Sequence, residues 1–436
     1  MFKNEEEKLT HYKNELDNLP VSLDSLDNAI MSGFHKAKKE KRKRTITMRG
    51  IYSFVTAAVL LIGLFSSIKI SPAFASYISE IPGMEKIVEL IDDDKGRMAA
   101  VEKKYFQKQS VSDEKDGLKV TIDGTISDEK GIVLFYTLHS KEKIKEIQID
   151  KVNLKAQDGT VLDEASISYG EFHQSEKGEH SFSGEIEYFF EAPLIAKKYI
   201  IDVEVKGKKF ILPFTLNDFK TKKEYTINRT MELDGQKINV EKAVIYPLRV
   251  AIHLKMDPNN TKQILNLDDL RLVDGNNEVW GKIANGATGS GDKDTEQEIY
   301  LQSNYFTDPN VLYLVLGSAQ AVDKKDLKVV VDTDKLEILK QPTGEVLQNI
   351  RFEEERGLVF ELHSSKQFNF EVFGDIIDAS GNKIDVHEQS MSSSDEKKVT
   401  ELGIKLPPKN TFKNPISMEL NYYPSWIKGH EKIRIK

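Results

Sequence analysis

The sequence predicts a mostly β chain: a single transmembrane helix, then tandem immunoglobulin-like β-sandwich domains, with short α-helices at the N-terminus and next to the membrane. Three observations carry this. One charge-free apolar run, GIYSFVTAAVLLIGLFSSI, occupies residues 50–68. From about Leu118 apolar and polar residues alternate with period two in segments bounded by Gly, Asn and Asp. One succession of strand-like segments then occurs three times.

Composition sets the frame. The 436 residues correspond to about three domains at roughly 150 residues each. With 30% charged residues the chain is too polar for a polytopic membrane protein, and 21 Phe and 15 Tyr argue against a wholly disordered one. Cysteine is absent, which excludes disulfides, Cys-ligated zinc, iron–sulfur clusters and thiol nucleophiles. Charge is divided at one point. Residues 1–49 carry 11 basic and 8 acidic side chains, whereas the rest of the chain carries 51 and 62. A basic end and an acidic bulk suit two compartments.

The dividing point is the apolar run. Nineteen helical residues span about 28 Å, close to the bilayer core. Lys36, Lys38, Lys39, Lys41, Arg42, Lys43, Arg44 and Arg49 precede it against the single acid Glu40. The positive-inside rule therefore places the N-terminus in the cytoplasm and the C-terminal region outside, with residues 50–70 in the lipid bilayer of the cell membrane. A basic run also suits a nucleic-acid patch, but its abutment to an apolar 19-mer favours membrane orientation, and no nucleic-acid partner is expected. Ala73-Phe74-Ala75 has the small-x-small form of a signal-peptide cleavage site, although the residues before the apolar run are too many for an ordinary signal peptide. Cleavage after Ala75 would release the exterior.

Residues 1–49 are too few to bury a core of their own. Two helical patterns occur. One runs from about Glu5 to Leu16. The second follows Pro20, with Ser22 as N-cap and Asp24 in its first turn. Leu23, Leu26, Ile30 and Phe34 form one apolar face of this second helix. Two readings stand: a loose hairpin that only spaces the anchor, and a docking element that folds onto a cytoplasmic partner.

Residues 71–106 read as a juxtamembrane helical collar, with helices over 84–91 and 96–106. Asp92, Asp93 and Asp94 read as a solvated helix junction, since three consecutive acids on a helix do not face one ion. The repeat follows. Its apolar strands are 131–139 (GIVLFYTLH), 249–255 (RVAIHLK) and 357–363 (GLVFELH). Its turns are 154–163 (LKAQDGTVLD), 270–279 (LRLVDGNNEV) and 375–385 (DIIDASGNKID), each expected to join two short strands as a hairpin. Segments from His180, Thr295 and Lys397 come next, then strands from Lys198, Val311 and Ile416. The repeat is the size of one β-sandwich. The expected domains are 107–217, 218–335 and 336–436.

No nucleophile elbow, phosphate loop or dinucleotide fingerprint occurs in the sequence, so no enzyme activity, catalytic residue, cofactor or metal is expected. His139, His253 and His363 fall at equivalent-looking places near the ends of the three apolar strands. Duplication of one ancestral residue explains them more simply than a repeated function does.

Residues 26–44 (LDNAIMSGFHKAKKEKRKR), the apolar run, 71–91 (SPAFASYISEIPGMEKIVELI), 92–103 (DDDKGRMAAVEK) and 126–138 (ISDEKGIVLFYTL) together resemble one family. It comprises membrane-anchored proteins of Gram-positive, spore-forming bacteria whose extracellular domain has no known function, and it includes anti-sigma factors for extracytoplasmic-function sigma factors. The resemblance spans about Leu26 to Leu138. The second sandwich resembles a companion domain, also of unknown function. The resemblance implies a cytoplasmic segment that holds a sigma factor, through Leu23, Leu26, Ile30 and Phe34, and an exterior that senses the cell envelope. A second membrane subunit or a cell-wall component is a possible further partner. The rival reading is a structural or adhesive envelope protein with no cytoplasmic partner.

Overall fold

The computed structural model describes residues 83–436, apart from 163, 170–171, 284–287, 387 and 395–398. Residues 1–49, expected to be the cytoplasmic segment, the apolar run, Ala75 and the positions Leu23, Leu26, Ile30 and Phe34 lie outside the described residues. No helix among the described residues is long and apolar enough to cross a membrane. The described chain is mostly β, and its named strand pairs are all antiparallel.

Two helices open it: α1 (Met84–Leu90) and α2 (Lys95–Glu102). The Asp94 carboxylate caps α2, accepting from the backbone N–H groups of Gly96 at 2.9 Å and Arg97 at 3.0 Å. Every residue from Gly96 to Val101 is buried. A helix buried all round is an internal element, not one lying on a surface. It stops short of the expected Phe106 because Lys104 takes a left-handed φ of 56° and the chain becomes extended at Gln107.

The first body contains β1 (Gln107–Lys115), β2 (Leu118–Asp128), β3 (Gly131–Ile147), β4 (Lys151–Ala156), β5 (Glu164–Ser168), β6 (His173–Phe190), β7 (Lys198–Val205) and β8 (Lys208–Thr215). They form two sheets, β1-β2-β3-β6-β5 and β4-β7-β8. Inward residues of both sheets, among them Leu134, Tyr136, Ile186, Tyr188, Tyr199 and Phe210, make one core. Alternation explains this: in β8, Phe210, Leu212 and Phe214 point in while Ile211 stays exposed. In β3, however, Gly131 to Tyr136 are all buried. Its outward residues Val133 and Phe135 are covered as well, with the Phe106 ring 6.0 Å from that of Phe135. A strand buried on both faces reads as a continuous apolar run.

The second body has β9 (Lys223–Leu233), β10 (Gln236–Ile245), β11 (Arg249–Met256), β12 (Lys262–Asn266), β13 (Arg271–Asp274), β14 (Val279–Trp280), β15 (Gly289–Gly291), β16 (Glu296–Gln302) and β17 (Leu312–Asp323). Then come β18 (Lys328–Asp332), β19 (Glu337–Lys340), β20 (Leu347–Glu353), β21 (Gly357–His363), β22 (Phe373–Ile377), β23 (Glu388–Ser394), β24 (Val399–Lys405), β25 (Ile416–Leu420) and β26 (Trp426–Arg434). The sheets β15-β16-β11-β10-β9 and β12-β17-β13-β14 enclose the second core, and β19-β18-β25-β22 and β20-β21-β24-β23 enclose the third.

Two features differ from the sequence reading. The first is the turns. Only β13 and β14 pair as the expected hairpin, and Ile377 makes a single bridge to Lys383. In the first body the chain after Gly159 crosses to the other sheet, where β5 pairs β6. What the three turns share is an aspartate. Asp158, Asp274 and Asp378 each accept the backbone N–H two residues on, at 2.9, 2.8 and 2.8 Å.

The second is the boundary between the last two bodies. In the first body β7 pairs with β8, the strand that follows it. The equivalent strands are β17 and β25. The strand after β17 is β18, yet β18 pairs with β25, from Lys328 opposite Glu419 to Val331 opposite Ile416. The strand after β25 is β26, yet β26 pairs with β17, from Tyr313 opposite Arg434 to Gln320 opposite Trp426. The two bodies have exchanged their last strands. Val329 and Val331 accordingly lie in the third core, and Ile427 and Ile433 in the second. The expected joint at 335/336 is therefore corrected: the chain leaves the second body after Asp323 and returns to it at Trp426. Trp426 marks the crossing. Its indole Nε1 donates to Asp268 at 2.6 Å, and its ring lies 6.4 Å from that of Phe368.

Candidate functional site

The densest arrangement of buried charge lies where α2 meets the first two bodies. It begins with strand parity. In β6, Ile186, Tyr188 and Phe190 face the core, so Glu185, Glu187 and Phe189 face outward. Outward carboxylates normally meet water, but here α2 lies over them. Arg97 of α2 is buried and donates to both Glu185 oxygens, at 2.8 and 2.9 Å. It also pairs with Glu187 at 3.0 Å and with Asp94 at 3.3 Å. Glu187 is shared, because Arg249, the first residue of β11, pairs with it at 3.2 Å. The Arg249 guanidinium lies over the Phe189 ring, 4.2 Å from its centre, and 5.3 Å from that of Tyr300, a cation–π arrangement.

Two further contacts close the junction. Buried Asp128 accepts from the Leu248 backbone N–H of the second body at 3.0 Å and from the Lys130 N–H at 2.8 Å. On the far side of α2, a Cβ on Gly96 would lie 2.6 Å from the Ser303 backbone nitrogen, so only glycine admits this approach. Gln302 also donates to the Asp93 carbonyl at 2.7 Å, and Lys95 to the Val279 carbonyl at 3.0 Å. Phe189, Val244, Tyr246, Ala251, Ile283 and Tyr300 form a separate apolar cluster across the two bodies.

The electrostatics are unbalanced. Asp94, Asp128, Glu185 and Glu187 face two guanidiniums. Burial raises the carboxyls of Asp94, Asp128 and Glu185 above their ordinary range, with the arginine beside each only partly opposing it. Arg97 responds the other way. Burial works against its charge, but Glu187, Glu185 and Asp94 outweigh burial and raise it further above the ordinary arginine value. The arrangement ties α2 to both bodies through buried ion pairs. No group of three or more His, Asp or Glu placed to hold a metal occurs among the described residues.

The three histidines that looked equivalent are not on one rung. His253, His363 and His139 stand four, six and eight residues past the first residue of their strands. Their surroundings differ too: His253 pairs with Glu298 at 3.0 Å, whereas His363 lies 3.4 Å from Glu361. Sequence reading missed Arg97, Glu185, Glu187 and Arg249. The available signal was acids at successive outward positions of an otherwise apolar strand, and an arginine heading another.

Comparisons with known proteins follow the sequence order, not the strand exchange. Residues 222–347 match a family of unknown function, DUF5643, a span that includes β18 and excludes β26. Residues 47–140 match a domain of unknown function, DUF4179, a span that includes α1, α2 and most of β3. No curated protein matches the chain. Among solved structures it is similar to the crystal structure of the conserved domain protein from Bacillus anthracis, at 18% identity and a TM-score of 0.36, over 54% of this chain and 85% of that one. The chain thus carries a DUF4179 domain followed by a DUF5643 domain.

Proposed function

We propose that this chain is a single-pass membrane regulator. Its cytoplasmic segment binds and sequesters an extracytoplasmic-function sigma factor through Leu23, Leu26, Ile30 and Phe34, and residues 50–70 cross the membrane. The β-rich region outside is sensory. The observation that supports this reading is the Arg97 junction. Helix α2 is clamped between two β bodies by buried ion pairs, so displacement of those bodies would pass to the chain that leads inward. The strand order β2-β3-β6-β5 facing β4-β7-β8 supports reading the exterior as immunoglobulin-like modules, since it is the order of a constant-type sandwich. The test is a pull-down from source-cell lysate with residues 1–49 as bait, beside the Ile30→Asp/Phe34→Asp double variant. A sigma factor retained by the first and lost by the second is expected. Equal retention by both defeats the proposed face.

A second reading is a structural or adhesive envelope protein whose cytoplasmic segment only sets orientation. The strand exchange favours it, because two bodies that complete each other's sheets resist separation under load. On this reading, scrambling residues 1–34 while keeping the basic run changes no phenotype. Any change in sigma-dependent transcription rejects it.

A further inference from the structure

We propose that the open side of the third body is a docking trench for an extended polypeptide with alternating apolar and basic side chains. The body ends on this side in two edge strands, β22 in one sheet and β23 in the other. Between them lies a trench of about 480 Å³, within the range of peptide and ligand pockets. Its floor is core: Val372, Phe373, Leu402 and Ile404. Its rim exposes apolar surface, with Met391 45% and Phe370 37% accessible.

The backbone defines the shape of the occupant. Among the described residues β23 pairs only with β24, so one row of its N–H and C=O groups has no strand partner. The far end of β22 is covered where the Ile384 N–H reaches the Ile376 carbonyl. At its near end the Phe373 carbonyl accepts side-chain amides, from Gln389 at 3.3 Å and Asn421 at 3.4 Å. The gap is thus spanned by side chains, not by a strand. An added strand on β23 satisfies the free row and sends every second side chain into the trench.

Charge defines the remaining side chains. Glu371 and Glu388 line the same rim, both exposed and without a basic partner among the described ion pairs. Outward residues of the added strand pass beside them, which favours lysine or arginine there. The molecule already builds this way, since the opposite side of the same body accepts β18 from the preceding one.

The probe is a short fluorescent peptide of alternating valine and lysine, titrated by anisotropy against the full chain in zwitterionic nanodiscs, with empty discs as blank. The controls are the valine–glutamate counterpart and a block peptide of the same valine and lysine content. The alternating basic peptide is expected to bind about tenfold tighter than either control. Glu371→Lys/Glu388→Lys should reverse the preference towards the acidic peptide, and Met391→Asp should weaken binding, each with an unshifted melting temperature. Equal binding of the block peptide overturns the strand geometry. An unchanged preference in the charge-reversed variant overturns the role of the acidic rim.

Discussion

The two junctions of this molecule are made in opposite ways. The first body meets the second through side chains: Arg97 and Arg249 held among buried carboxylates, with the Phe189 ring tilted against that of Tyr300 at 4.8 Å. The second meets the third through backbone, by exchanging β18 and β26. A side-chain junction is lost by changing one charge. An exchanged strand is lost only when a sheet opens. The difference teaches where the molecule is able to yield, namely beside α2, near the end that leads to residues 1–76.

The largest effect should come from breaking the exchange. Ile427→Ala with Ile433→Ala removes buried side chains from the second core, at roughly 2–5 kcal/mol each. Denaturant unfolding should show the loss in the second and third bodies together, and hydrogen exchange should rise along β17. If β18 stays protected, the two bodies are not coupled through the exchange.

Arg97→Met should cost about 3–5 kcal/mol, because Glu185 and Glu187 are left buried with less compensation. Adding Glu185→Gln and Glu187→Gln should recover much of that loss, which a calorimetric cycle reads directly. Arg351 is the contrast. It pairs with Glu353, Glu361 and Glu401, but its side chain is 36% exposed. Gly96→Ala stands between the two. It favours the helix in isolation but drives a Cβ into the Ser303 backbone, so a net loss of about 1–3 kcal/mol is expected in a melting experiment.

Acid should separate the regions by sign. Burial raises the Glu185 carboxyl in the fold, so the folded state binds its proton more readily than the unfolded chain. Its contribution therefore becomes more favourable as pH falls from the raised value towards the ordinary glutamate range. Asp332 of the third body is the reverse. Backbone N–H groups and Asn414 hold it down at about 2, so its stabilisation is present above the ordinary aspartate value and is lost as pH falls through about 2. The melting difference between the native chain and Glu185→Gln should shrink on mild acidification, while that for Asp332→Asn persists until stronger acid. A parallel response of both variants contradicts the assignment. Smallest of all, Arg351→Ala should cost about 0–1 kcal/mol, since an exposed pair is screened by water and salt.

Much of the fold was legible from particular residues. The strand from Lys198 places Tyr199, Ile201, Val203 and Val205 inside, and the three apolar strands sit at corresponding places in three cores. The charged junction was not legible. Glu185 and Glu187 look like solvated outward residues until α2 is seen over them, and nothing local to β6 says that a helix some ninety residues earlier covers it. The histidines misled for a related reason: distance along a strand is visible in sequence, but the rung reached depends on where the strand starts.

By itself the sequence determined the β alternation, the places of the turns over 154–163, 270–279 and 375–385, and the threefold succession of strands, because each depends on neighbours within a few residues. Only the tertiary structure decided which body receives β18 and which receives β26. Val329 with Val331 and Ile427 with Ile433 each give their strand a short apolar face, two side chains that enter a core. Such a face suits either core, and the choice falls to the body whose open edge the rest of the fold brings alongside.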